Sequence, residues 1–171
     1  EHVLGVCLDA ARRIDAPGSR HVNLYPSTLL TMSPDRIDAL LGSWSRRHPV
    51  VVELSEQQLV GDPIELLPNL ERLRSHGVQI SLDDVGFGRT SLETLIIVEP
   101  NIVKIDAAYI QGVHADESRR RWLARLVQAA RSLGATLVAE GVEQRAEVDV
   151  IEALSIEWCQ GFYFAEPQLV S

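Results

Sequence analysis

The chain has 171 residues, 46% hydrophobic and 23% charged, with a formal net charge of −8. That length allows one domain with a sizeable core, and the balance of apolar and charged residues excludes a disordered chain. The acidic balance argues against unspecific binding to duplex nucleic acid, which needs clustered cations.

No apolar run approaches the length of a membrane span, and no signal peptide is visible at the start. Cys7 and Cys159 lie far apart and form no C-x-x-C pair. The expectation is a cytoplasmic protein with two reduced thiols. The chain has 16 basic residues, and Lys104 is the single lysine among them. Lysine and arginine differ in shape, hydration and capacity for a shifted pKa.

In chain order, Val3, Leu4, Cys7, Leu8, Ala11 and Ile14 repeat with the period of a helix face, ended by Pro17 and Gly18. A short strand, 22–24, follows and stops at Pro26. SPDRIDALLGSWSRR reads as a helix capped by Ser33, with Pro34 at its first position. The β-branched run PVVVEL predicts a strand over 50–54. DPIELLPNLERLRSHG is helical in its periodicity, with Pro68 expected to kink or split it. Strands are predicted over 79–84, 102–106, 136–140 and 158–164. Helical patterns separate them at TSLETLIIV, ESRRRWLARLVQAARSLG and EQRAEVDVIEAL.

Strands alternating with helices imply βα units and a parallel sheet. VVVEL, IVKI and TLVA lack polar alternation, as expected of strands covered on both faces. Six strands are two short of a closed (β/α)8 barrel, which needs about 250 residues. The pattern therefore fits either an open doubly wound sheet or a barrel lacking two strands.

Each predicted strand ends in a polar side chain: Asn23, Glu53, Asp83 with Asp84, Lys104, Glu140 and Gln160. In parallel α/β folds the C-terminal strand ends converge on the ligand crevice. Burying so many polar groups there is costly unless they satisfy one another or hold a ligand. The hard oxygen donors Asn23, Glu53, Asp83, Asp84 and Glu140 suit Mg2+ or Mn2+ better than zinc. Asp83 would bridge two metals about 3.5–4 Å apart, with Asp84 on the second. Gly86 and Gly88 would let the chain turn away from the strand. An isolated pair of aspartates would by itself read as a cap; the other polar strand ends favour a site.

His2, His21, His48, His76 and His114 fall in predicted loops or helix ends without ligand spacing, and surface or turn roles are expected of them. The Arg119-Arg120-Arg121 run is expected on a solvated helix face. Trp44, Trp122 and Trp158 are expected in the core, although Trp158 is near enough to Gln160 to touch a base, and whether Tyr25 or Phe162 stacks on guanine is equally open. No nucleotide-binding loop and no G-x-S-x-G elbow is present.

The ordered motifs VNLYP, ELSEQ, SLDDVGFG, IVKID, VAEGVE and QGFYFAEP make the chain resemble the EAL domain, the cyclic-di-GMP phosphodiesterase module of bacterial signalling proteins. The resemblance implies an EAL-type (β/α)8 TIM-type barrel, incomplete here with six of eight strands. It is expected to be a single domain over 1–171, truncated at its amino-terminal side. The implied reaction hydrolyses one phosphodiester of cyclic di-GMP to linear pGpG with a two-metal Mg2+ or Mn2+ site. By the same resemblance, Asn23, Glu53, Asp83 and Asp84 are metal ligands. Lys104 lies beside the attacking water, where a depressed pKa would let it orient or deprotonate that water. Glu140, Glu143 and Gln160 complete the catalytic group, and Glu56 anchors the loop after the two aspartates. Implied partners are cyclic di-GMP, a second copy in a homodimer, and attached signalling domains, with membrane tethering open for a longer parent.

Two departures stand out. The glutamate of the EAL signature is missing, and the family's DDFGTGYSS appears as DDVGFGRTS, with Phe87 and Arg89 altered. They motivate an alternative, a catalytically inactive receptor or dimerisation module for cyclic di-GMP. A glycosidase using Glu53 and Glu140 as its carboxylate pair is a third class, marked by metal independence.

Overall fold

The computed structural model describes residues 2–14, 17–41, 49–59, 61–86 and 92–166. They form α1 (His2–Arg13), β1 (Arg20–Asn23), α2 (Pro26–Thr31), α3 (Pro34–Leu41), β2 (Val50–Ser55), α4 (Leu67–Ser75), β3 (Gln79–Val85), α5 (Leu92–Val98), β4 (Ile102–Ile105), α6 (Ala107–Ile110), α7 (Glu117–Ser132), β5 (Thr136–Ala139), α8 (Arg145–Ala153) and β6 (Trp158–Cys159). Short 3-10 turns stand at Glu56–Gln58, Pro63–Leu66 and Val113–Ala115.

The strands form one sheet in the order β1-β2-β3-β4-β5-β6. Each neighbouring pair is parallel. A doubly wound sheet reverses its strand order midway, whereas a barrel wall runs in sequence. The order therefore selects the barrel alternative: six strands make a half-barrel, with β1 and β6 as edges among the described residues.

One face of the sheet packs under the helices. Leu54, Ile80, Leu82, Ile105 and Leu137 are fully buried there, against Leu70, Leu123 and Ile151 of α4, α7 and α8. β4 and β5 alternate between half-buried and buried positions. β2 is buried along both faces, as expected, whereas at β4 and β5 the concave face is partly open, with no strand opposite it among the described residues. Arg20 opens β1 on the helix side, where its guanidinium donates to the carbonyls of Ala11, Ile14 and Gly18. It thereby satisfies carbonyls at the end of α1 and in the turn that follows it.

Local corrections have local causes. The expected strand over 158–164 is only Trp158–Cys159, because the chain turns at Gly161. A Cβ on Gly161 would lie 2.2 Å from the backbone nitrogen and oxygen of Val142. Pro68 splits the predicted helix, as expected, into a 3-10 turn and α4. α2 begins at Pro26, where the sequence suggested only a stop. Trp158 is 66% exposed on the edge strand rather than in the core. Trp122 packs against the Tyr109 ring at 4.9 Å, while Trp44 and His48 lie outside the described residues. Arg119 and Arg120 are half-buried and donate to the carbonyls of Gln111 and His114, so only Arg121 of that run is plain surface.

Candidate metal centre

Parallel register brings the strand ends to one level. Asn23 is opposite Glu53, and Ser55 is opposite Asp83. Lys104 rises from β4 into the middle of this group. Its ammonium Nζ lies 3.0 Å from Asp83 Oδ1, 2.9 Å from Glu140 Oε1 and 3.4 Å from Glu53 Oε1. From the far side, Gln160 Nε2 donates to Glu140 Oε1 at 2.7 Å. A cavity of about 710 Å³ runs along the concave face, lined among others by His21, Glu53, Lys104, Trp158 and Gln160.

The paired aspartates depend on a defect in β3. In a regular strand, adjacent side chains point to opposite faces. Here the register with β4 shifts between Leu82 and Val85, and Asp84 has φ of +58°. A bulge with a left-handed residue re-aims the side chain that would otherwise leave the site. The Asp84 amide donates to Asp83 Oδ1, and Ser55 Oγ donates to Asp84 Oδ2 at 3.0 Å. Asp83, Asp84 and Glu140 each offer an oxygen within 4.8 Å of the others.

The following loop is anchored as expected: the Gly86 amide donates to Glu56 Oε2 at 3.1 Å. Gly86 is required for another reason than a left-handed turn. A Cβ there would meet the Tyr109 ring at 2.2 Å. Gly88, Phe87 and Arg89 lie outside the described residues.

The electrostatics of the metal-free site set the charge of Lys104. Burial alone would lower the Lys104 pKa, but hydrogen bonds to Glu140 and Asp83 outweigh it and hold the ammonium well above its ordinary value. Without metal, Lys104 is thus held as a cation. Burial pushes Glu140 up, against the attraction of Lys104, with Asp83 and Glu53 adding to the rise. Burial acts on Glu53 in the same sense, but the hydrogen bond from His21 and the charge of Lys104 bring it below the usual carboxylate range.

The structure thus gathers Glu53, Asp83, Asp84, Lys104, Glu140 and Gln160. Asn23 stands exposed at the end of β1, in register with Glu53 but without a described contact to the carboxylates. Glu143 sits apart on the loop after β5, where its Oε1 accepts from Gln111 Nε2 at 3.0 Å. Two residues of the arrangement were not expected from sequence. Ser55 steadies Asp84. His21, assigned to a loop, lies on β1 and reaches Glu53 with Nδ1 at 2.7 Å. Starting that strand two residues earlier puts His21 on the face of Asn23, since side chains two apart share a face.

Fold and centre together define a parallel α/β half-barrel with an acidic site of hard oxygen donors at its C-terminal strand ends. The chain belongs to the EAL domain family, whose profile matches residues 1–167. It is 31% identical to "Probable cyclic di-GMP phosphodiesterase PdeG" of Escherichia coli K12, covering 92% of this chain and 33% of that protein. Identity is also 31% to "Cyclic di-GMP phosphodiesterase RocR" of Pseudomonas aeruginosa, covering 85% and 38%. The chain therefore spans between about a third and two fifths of these relatives. Among solved structures, it resembles the PaMucR phosphodiesterase in complex with c-di-GMP, with TM-score 0.84 and 29% identity, over 98% of this chain and 75% of that one. It also resembles Klebsiella pneumoniae BlrP1 in a calcium and cyclic-di-GMP complex, with TM-score 0.83 and 26% identity, over 97% and 43%.

Proposed function

We propose that this chain belongs to a metal-dependent phosphodiesterase that opens cyclic di-GMP to linear pGpG. The observation that carries the reading is the convergence of Asp83, Asp84 and Glu140 within 4.8 Å beside Lys104. Carboxylate oxygens crowded this closely repel one another unless cations share the space. The donor set fits a hard divalent ion, Mg2+ or Mn2+, with Asn23, Glu53, Asp83 and Asp84 as its ligands. Such ions, when bound, neutralise phosphate oxygens and acidify a coordinated water.

The chain's own groups supply the rest. Lys104 offers an ammonium toward the cavity, fixed by Asp83 and Glu140, where a phosphate oxygen or the attacking water meets it. Gln160 orients Glu140 through its amide. Gln111 holds Glu143, and Glu56 holds the turn at Gly86. In the net reaction, water adds across one P–O3′ bond. Its oxygen joins phosphorus and its proton goes to the departing 3′ oxygen, leaving a 5′-phosphate and a free 3′-hydroxyl. We assign Asn23 to the metal group by its register with Glu53, and the whole of 1–171 to one EAL-type domain.

The altered loop DDVGFGRTS favours a second reading, a receptor that binds cyclic di-GMP and does not cleave it. Chromatography of cyclic di-GMP incubated with the full-length gene product decides between them. Mn2+-dependent pGpG that disappears with chelator supports the enzyme. Calorimetric binding that is insensitive to chelator, without pGpG, replaces it with the receptor.

A further inference from the structure

We propose that His21 is a positioning residue for the metal centre, holding one oxygen of the Glu53 carboxylate so that the other is presented to a divalent cation. The inference rests on the reading of Glu53 as a metal ligand.

The geometry begins on β1, where alternation places His21 and Asn23 on the concave face and Arg20 and Val22 under the helices. Glu53 is 6% exposed, on the neighbouring strand. His21 Nδ1 lies 2.7 Å from Glu53 Oε1, and Lys104 Nζ lies 3.4 Å from the same oxygen. Both contacts fall on Oε1, so a cation would take Oε2. An ionised carboxylate only accepts, so the hydrogen of this bond sits on Nδ1. The other ring nitrogen, Nε2, is 2.9 Å from Ser19 Oγ. Ser19 and Glu53 therefore grip the imidazole at both nitrogens, which fixes the ring plane as well as its position. A carboxylate side chain has freely turning bonds, and its ligating geometry is set by the groups that hydrogen-bond it. Ser19 and His21 supply that constraint from the lower part of the same cavity.

The test uses the full-length gene product and reads Mn2+ affinity directly, from the electron paramagnetic resonance of free Mn2+, without turnover. Four variants are compared with wild type: His21→Asn, His21→Leu, Ser19→Ala and Asp83→Asn. Asparagine keeps a donor close to the Nδ1 position, whereas leucine keeps only bulk. Loss of an outer-shell partner of a ligand typically costs 10- to 100-fold in metal affinity. His21→Leu is expected to weaken Mn2+ binding by about that factor, and His21→Asn to recover most of it. Ser19→Ala is expected to weaken it by less than about tenfold, as a partner one step further removed. Metal-free melting temperatures monitor packing in each variant. Leucine and asparagine variants that both match wild type would overturn the proposal. Equal losses in both would overturn it too, since the ring rather than its N–H would then matter. If wild type binds no Mn2+, or Asp83→Asn leaves binding unchanged, the metal reading itself fails. That result is distinct from the failure of His21 alone.

Discussion

Lys104 sits where three carboxylates would otherwise face one another across a partly closed face. Its ammonium stands in for part of the positive charge that Asp83, Glu140 and Glu53 call for. Removing one partner of a buried ion cluster is expensive, because the others keep their desolvation cost. Lys104→Met is therefore expected to lower metal-free stability by about 3 kcal/mol in urea titration, and added Mn2+ should restore part of the loss. Lys104→Arg should not rescue turnover, since a planar fork does not fill the place of a compact ammonium.

Asp84 gives a second prediction at this scale. Its left-handed φ is tolerated by asparagine as well as by aspartate. Asp84→Asn should then leave stability within about 0.5 kcal/mol, as is usual where no packing changes. The same variant should weaken Mn2+ by about tenfold or more through its lost charge. Coincident loss of stability and affinity would show that the residue only shapes the bulge.

At the scale of elements, α8 shows how a site loop is fixed from a distance. Glu147 is fully buried, and its carboxylate accepts from the amides of Gly112, Glu143 and Gln144. Those bonds tie the loop after α6 to the loop that carries Glu143, and close a capping box with Gln144. Burial pushes the Glu147 pKa up, but the backbone amides of Glu143, Gly112 and Gln144 outweigh it and bring the carboxyl below its ordinary 4.5. A depressed folded pKa contributes stability that is complete above the unfolded value and fades as pH falls through the folded one. Glu147→Gln should thus destabilise the protein by about 1–3 kcal/mol at pH 7, leaving one amide poorly matched. It should also flatten the loss of stability below pH 4.5, measured by acid titration of the circular dichroism.

Gly161 makes a similar point at the end of β6. Any side chain there meets the Val142 backbone. Gly161→Ala is expected to cost about 1–3 kcal/mol by overpacking and to displace Gln160 from Glu140. The elements of this chain were legible where periodicity or proline marked them, as in α7, β2 and the split at Pro68. The six strands and their polar ends could be read because parallel strands put their chemistry at one end. The shortness of β6, the bulge at Asp84 and the place of His21 could not. Each depends on a contact across the sheet: Val142 against Gly161, Ser55 with Asp84, Glu53 with His21. The raised pKa of Lys104 was hidden for the same reason, since three carboxylates from three strands decide it.

At the scale of the whole molecule, the sheet is a barrel wall whose two edges lack partners among the described residues, and whose concave face carries the cavity. The family relation and the structural similarity account for that wall. A ligand that binds only the folded state stabilises it, by about 2.7 kcal/mol at a hundredfold excess over its dissociation constant. Mn2+ should therefore raise the melting temperature of the full-length gene product, and chelator should reverse the rise. The most direct measurement of the centre is anomalous diffraction at the manganese edge from crystals of that protein grown with Mn2+. Two peaks about 3.5–4 Å apart are expected, both touching Asp83 or Asp84, with Lys104 displaced from at least one carboxylate. The absence of a peak at these aspartates, with Lys104 still bound to Asp83 and Glu140, would contradict the metal reading.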